Sequence, residues 1–205
     1  MALIVFTALG YGAVRLSNIL QQTQQLSVEL HSKQEQVGVL NARIAAFEAS
    51  MPFIRDGIVA FHEGRRMMAP DPRRGLASLQ AAVANYEQAL QLDPQNAYTL
   101  DLKSYAQYYV GLAARSADPG AAQASIEAAA GTMREGLRLA PQSLNGYFQL
   151  AIYLCQLDRF DEAVAVYDDA ISRLGAETVT QEFSARESEI VRRCEPLRQR
   201  FSRAP

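Results

Sequence analysis

The sequence predicts an all-α protein: a long N-terminal helix, a stack of helical hairpins and a C-terminal capping helix. Three observations carry that expectation. Between Leu144 and Gly175, apolar residues recur at three- and four-residue steps on both sides of a short polar break, Asp158-Arg159-Phe160-Asp161. From Leu16 to Ile54 an apolar stripe keeps an average step of about 3.5 residues. No segment shows the alternation and Gly-rich turns of a β-hairpin protein.

Composition sets the outer bounds. A chain of 205 residues holds one or two domains, and 49% hydrophobic residues suit a globular helical protein. The formal charge of -2 provides no strong field for a polyanion, so no nucleic-acid partner is expected.

The chain opens on Met1 to Val14, where Thr7 is the one clearly polar side chain. As a helix this run spans about 21 Å, short of a hydrocarbon core of about 30 Å. No Lys or Arg precedes it, as one would in a secretory signal. Three readings fit: the remainder of a transmembrane anchor, a short interfacial anchor, or an apolar start to the next helix. We expect residues 1–15 to act as an anchor, with Arg15 at its end. Membrane association is then expected, at a bacterial inner membrane. One Arg favours a cytoplasmic body, but the side of the membrane is left open.

Residues 16–52 are expected to form a coiled coil. Leu16, Ile19, Thr23, Leu26, Leu30, Lys33, Val37, Leu40, Ile44, Phe47, Met51 and Ile54 keep the three-then-four step, with Thr23 and Lys33 as the polar exceptions. Such a stripe is buried only against a partner, and a second copy of the chain is the simplest one. Arg43 and Glu48 flank the stripe five apart, which permits a salt bridge in a parallel pair. The alternative is an amphipathic helix lying on its own hairpin domain. Pro52 is expected to end or kink this helix, because it has no N–H to give.

Residues 53–175 are read as hairpins. Phe53 to Met68 is a helix with Ile54, Ile58 and Phe61 on one side, then a loop over Ala69–Gly75. Leu76 to Leu92 is the next helix, carrying Ala82, Tyr86 and Ala89 before Asp93-Pro94. Ala97 to Arg115 and Ala121 to Leu139 form a looser pair, with Ala129, Met133 and Gly136 on the second helix. In the next pair, Tyr147, Leu150, Ala151 and Leu154 share one face, as do Ala163, Tyr167 and Ala170. Small residues at Ala151 and Ala163 allow two helix backbones to approach closely. Residues 176–205 are expected to form one basic capping helix, kinked at Pro196.

The Leu144–Gly175 pattern resembles a tetratricopeptide repeat. That family's unit of roughly 34 residues carries large-Leu-small-large on its first helix, Ala-aromatic-Ala on its second, and a Pro at the exit. Here these are Tyr147, Leu150, Ala151 and Leu154, then Ala163, Tyr167 and Ala170, with Gly175 in place of the Pro. Ala82, Tyr86, Ala89 and Pro94 match the second half of such a unit. Pro94 and Pro141 lie 47 apart, so the middle repeat is degenerate and carries an insertion. The resemblance implies an α-solenoid whose groove, lined by the first helices, takes a partner protein. Carried over, the groove residues are Asn145, Phe148, Ile152 and Gln156 on the last repeat, and Tyr98, Asp101, Tyr105 and Tyr108 on the middle one. Their aromatic character suits an apolar or helical ligand; the alternative for the tyrosines is core packing between hairpins. The order of parts resembles bacterial envelope proteins that pair a trimerising coiled coil with such repeats.

The residues offer little chemistry. His31 and His62 are far apart, and no Ser/His/Asp or Cys/His arrangement is present. No Walker-type loop or metal-ligand spacing occurs, so no cofactor and no metal are expected. Cys155 and Cys194 are expected as two unpaired helix thiols; a disulfide between them is the alternative, which spacing alone does not reveal. The sequence therefore points to a non-enzymatic, anchored scaffold that self-associates through residues 16–52. The rival reading is a permanent structural subunit of a larger membrane-associated assembly.

Overall fold

A computed structural model describes the backbone of residues 2–190 and 194–202, and side chains of residues 20–190 and 194–200. The fold is all-α. Among the described residues there are eight α-helices, one 3-10 turn and no strand. The chain divides into two compact units, Met1–Ala46 and Phe47–Pro205.

The first unit is the N-terminal part of α1 (Ala2–Met67). The anchor segment, residues 1–15, has side chains outside the described residues. From Leu20 the described stripe is uncovered: Leu26 is 65% exposed and Leu30, Val37, Leu40 and Ile44 are also exposed. The 48 residues Leu20–Met67 include a stretch long and apolar enough to cross a membrane, with mean hydropathy 1.2. A membrane span, a signal sequence and a soluble helix all meet that criterion.

The second unit opens on the rest of α1. The helix runs through Pro52 to Met67, so Pro52 does not end it. Pro52 lacks the N–H that would reach the Glu48 carbonyl, a cost of about 3 kcal/mol in a helix interior. Burial of Ile54 and Phe61 just beyond it offsets that cost and holds the next turns helical. Met51 is 43% exposed while Ile54 is 2% exposed, so the stripe leaves solvent within one turn.

Three hairpins come next. The last turns of α1 pair with α2 (Pro72–Leu92). α3 (Ala97–Ala114) pairs with α4 (Pro119–Leu139), and α5 (Leu144–Gln156) with α6 (Phe160–Leu174). α2 and α4 begin earlier than their apolar spacing predicts. In both, an Asp caps the helix and Pro takes its first position. Asp71 accepts from the Arg74 N–H at 3.1 Å and Asp118 from the Ala121 N–H at 2.9 Å. Asn96 and Ser143 cap α3 and α5 in the same way.

Glycines set the closeness of the first two hairpins. A Cβ on Gly57 would stand 2.5 Å from Tyr86 Cε1, and one on Gly111 would stand 2.6 Å from Ile126 Cγ1 and 2.9 Å from the Ala122 carbonyl oxygen. Ala82, Tyr86 and Ala89 are buried, as are Ala129, Met133 and Gly136, and Ala163, Tyr167 and Ala170. Glu63 ties α1 to α2, accepting from Arg66 and Arg74 at 2.7 Å each.

The C-terminal part is not one capping helix. It is α7 (Ala176–Ala185), a 3-10 turn (Glu187–Glu189) and α8 (Glu195–Ser202). Gly175, at φ 91°, permits the reversal from α6 into α7. Pro196 sits in the first turn of α8, where its missing N–H costs nothing. Cys155 and Cys194 form a disulfide with Cα atoms 5.5 Å apart, which corrects the expectation of two free thiols. The chain reversal after α7 brings Cys194 back to α5, a tertiary event that residue spacing does not encode. Arg192, Arg193 and Arg203, part of the expected basic character, lie outside the described residues.

Candidate partner-binding face

The first helices of the three hairpins carry an aromatic seam. Phe61 of α1 meets Tyr105 and Tyr109 of α3, with ring centroids at 5.3 and 5.5 Å. Tyr108 of α3 stacks on Tyr153 of α5 at 4.8 Å. Contacts of this kind add about 0.5–1.5 kcal/mol each beyond area burial. Arg65 lies over the Tyr109 ring at 4.9 Å from its centroid, one turn beyond Phe61 on α1. The helices are further linked where Gln156 donates to the Tyr108 hydroxyl (3.4 Å) and accepts from Arg115 (2.7 Å).

The chain's own C-terminal part closes the α5 end of this face. Gly146 to Cys155 are all buried, an uninterrupted run of ten residues. A helix apolar on every side requires neighbours on every side. α4 and α6 cover two flanks, and α7 with the segment after it covers another. Phe183 meets the Phe148 ring edge-on at 5.0 Å, and the Arg186 guanidinium lies 3.8 Å from the Phe148 centroid. Arg186 also donates to Asn145 Oδ1 at 2.9 Å, to Glu182 at 3.1 Å and to Glu189 at 2.8 Å. Its bond to Glu189 holds that carboxyl below the usual range. Ile152 lies in the same buried cluster as Ile190 and Cys194.

The eight groove residues read from the sequence therefore divide. Phe148, Ile152 and Tyr108 are buried; Asn145 is exposed but engaged by Arg186; Gln156 is half-buried and bonded on both sides. As the chain stands, a partner reaches Phe148 or Ile152 only by displacing Phe183, Arg186 and the C-terminal segment beyond them. Tyr98, Asp101 and Tyr105 are different. They lie at i, i+3 and i+7 on α3, on one helix face. Tyr98 is 58% exposed; Asp101 and Tyr105 are half-buried.

The electrostatics of this open part are unusual. Burial pushes the Asp101 carboxyl above its ordinary value of 3.8. Among the described residues Asp101 has no cationic partner, because Lys103 pairs with Glu87 at 3.1 Å instead. The fully buried Tyr153 hydroxyl lies within electrostatic reach of Asp101 and beside the Ser104 hydroxyl. The nearby Ser104 hydroxyl donates to the Asp101 carbonyl at 2.8 Å. Burial, with the Tyr109 hydroxyl at 3.3 Å, pushes the Tyr105 phenol up as well.

A second cleft, of about 600 Å³, lies between α4 and α6. Leu137, Tyr147, Leu150 and Val166 are its larger apolar lining residues. Its rim charges are largely satisfied internally, through Arg134–Glu162 (3.0 Å) and Arg173–Asp169 (2.9 Å).

Phe183, Arg186, Tyr109 and Tyr153 are site residues that sequence reasoning missed. The cysteine pair was the available signal for the first two, since a bond between residues 155 and 194 forces the chain after α7 back across α5. In comparisons with known proteins, no family model matches this chain and no curated protein matches it.

Proposed function

We propose that this chain is a non-enzymatic docking scaffold that self-associates through the N-terminal part of α1 and presents tetratricopeptide-like hairpins to a partner protein. The observation that carries this reading is the apolar stripe from Leu26 to Met51, uncovered in the single chain. An apolar row at heptad spacing along a solvent-exposed helix is a surface for another helix. A second copy of the same helix matches it in length and spacing. The docking role is supported by the open α3 face at Tyr98, Asp101 and Tyr105.

The Cys155–Cys194 disulfide adds a compartment to the proposal. Such bonds persist in oxidising surroundings. The hairpin unit then belongs on the oxidising side of the membrane that residues 1–15 anchor it to, against the direction suggested by Arg15 alone.

Light scattering on the chain from Leu16 tests the stalk. An oligomer is expected, converted to monomer by Leu40→Glu with Ile44→Glu. A parent that is monomeric at tens of micromolar removes the self-association. A second reading, a permanent subunit of a larger assembly, is favoured by Val59 and Leu92, exposed apolar residues on the hairpin unit. A stalk variant that stays soluble as a monomer supports docking; one that aggregates supports the permanent subunit.

A further inference from the structure

We propose that Tyr98, Asp101 and Tyr105 form a receptor for a single arginine side chain presented by a basic segment of a partner protein. The proposal rests on the docking reading above and adds the chemistry that the partner must carry. A half-buried carboxylate is costly to leave without a counter-charge. Asp101 has none among the described residues: Lys103 is held by Glu87, and Arg65 stacks over Tyr109. The complement has to come from outside.

The flanking residues select the type of cation. Asp101 has Tyr98 three residues before it and Tyr105 four after it, so two aromatic rings flank the carboxylate along one helix face. A guanidinium is planar and stacks on such rings while its N–H fork binds a carboxylate on two sides. An ammonium is a compact point charge that does one of these at a time. The α5 side of Asp101 supplies no counter-charge either. The buried Tyr153 hydroxyl, within reach of Asp101's charge, is a neutral phenol, and the Ser104 hydroxyl beside it donates to the Asp101 carbonyl and not to its carboxylate.

The surroundings also limit where the arginine enters. At the α5 end the face is closed by Phe183 and Arg186, and Arg186 carries the same charge as the ligand. At the other end Arg65 covers Tyr109. Between these two cations Asp101 is the uncompensated acid on α3, which places the ligand charge at one point on the helix.

The test uses the full chain and blocked amino-acid amides as probes: N-acetyl-arginine amide, its lysine counterpart and its norleucine counterpart. Binding is read by NMR from the α3 amides and the tyrosine rings. The arginine probe is expected to give saturable shifts centred on Tyr98, Asp101 and Tyr105, with weaker shifts from lysine and none from norleucine. Asp101→Asn is expected to weaken arginine binding at least about tenfold, since hydrogen bonds to a charged group contribute about 1.5–3 kcal/mol. Glu135→Gln, an exposed acid on α4, is expected to leave it unchanged. Tyr98→Ala removes an exposed ring without touching the carboxylate and is expected to weaken arginine more than lysine. Equal shifts from arginine and norleucine, or arginine binding that survives Asp101→Asn, would overturn the proposal. An apolar helical peptide that binds this face regardless of Asp101 would also overturn it while leaving the docking reading in place.

Discussion

Removing the Cys155–Cys194 bond is the perturbation with the largest worked consequence. The two residues are 39 apart in sequence. Cross-linking a loop of that length lowers the entropy of the unfolded chain by an amount corresponding to about 4 kcal/mol at room temperature. For a chain of this size each kcal/mol moves the melting midpoint by about 2–4 °C, so a fall of about 8–16 °C is expected for Cys155→Ala with Cys194→Ala. The loss is also expected to be local. The bond joins α5 to the chain just before α8, whereas Phe61, Leu79, Ala82, Tyr86 and Ala106 form a separate core. Hydrogen exchange should therefore accelerate in α7 and α8 and along α5 while α2 keeps its protection. Thermal unfolding by circular dichroism, with exchange read by mass spectrometry, tests both parts. A double variant melting within about 2 °C of the parent contradicts the entropy argument. Two titratable thiols in the denatured parent, after purification without reductant, would show that the bond does not form.

The same contacts set three further outcomes. Gly111→Ala and Gly131→Ala are expected to move stability in opposite directions. Alanine adds about 1 kcal/mol of helix propensity at either site, but at Gly111 the new methyl meets the Ala122 carbonyl oxygen, which cannot swing aside, and overpacking of about 1–3 kcal/mol exceeds the gain. Gly131 has nothing within 4 Å of its Cβ position, so it shows the gain, and urea midpoints read both. Asp101→Asn is expected to stabilise the chain at neutral pH. Burial raises this carboxyl in the folded state, so the folded chain holds the proton more tightly than the unfolded one. The penalty is absent well below 3.8, grows as pH rises through the raised folded value, and is full above it; the stabilising effect of the asparagine should track that curve in melts across pH. Arg186→Lys keeps the charge but loses the fork that reaches Asn145, Glu182 and Glu189 and the stacking on Phe148. A loss of about 1–3 kcal/mol is expected, read as a lowered melting midpoint and faster exchange near Phe183.

The helices were legible because their signals are local. The three-and-four spacing of Tyr147, Leu150, Ala151 and Leu154 depends on neighbours within two turns, and all four residues are buried. The early starts of α2 and α4 are also written locally, in Asp71-Pro72 and Asp118-Pro119, but a proline read as a breaker hides its use as a first-turn residue. Pro52 shows the opposite error. Its local signal is to stop, and burial of Ile54 and Phe61 overrides it. At the candidate site, Asp101 and Phe148 are both groove residues expected from the sequence, yet one is half-open and the other is sealed by Phe183 and Arg186.

The sequence by itself determined that this is a helical protein, where most of its helices lie, and which faces are apolar, because helix periodicity is a short-range property of the chain. Only the tertiary structure decided which of those faces stays open. Cys194 reaches Cys155 through the chain's return after α7, and that path covers α5 and leaves the Tyr98–Tyr105 face of α3 open. Contacts between residues some forty positions apart depend on the route of the backbone, which no pattern within a single helix records.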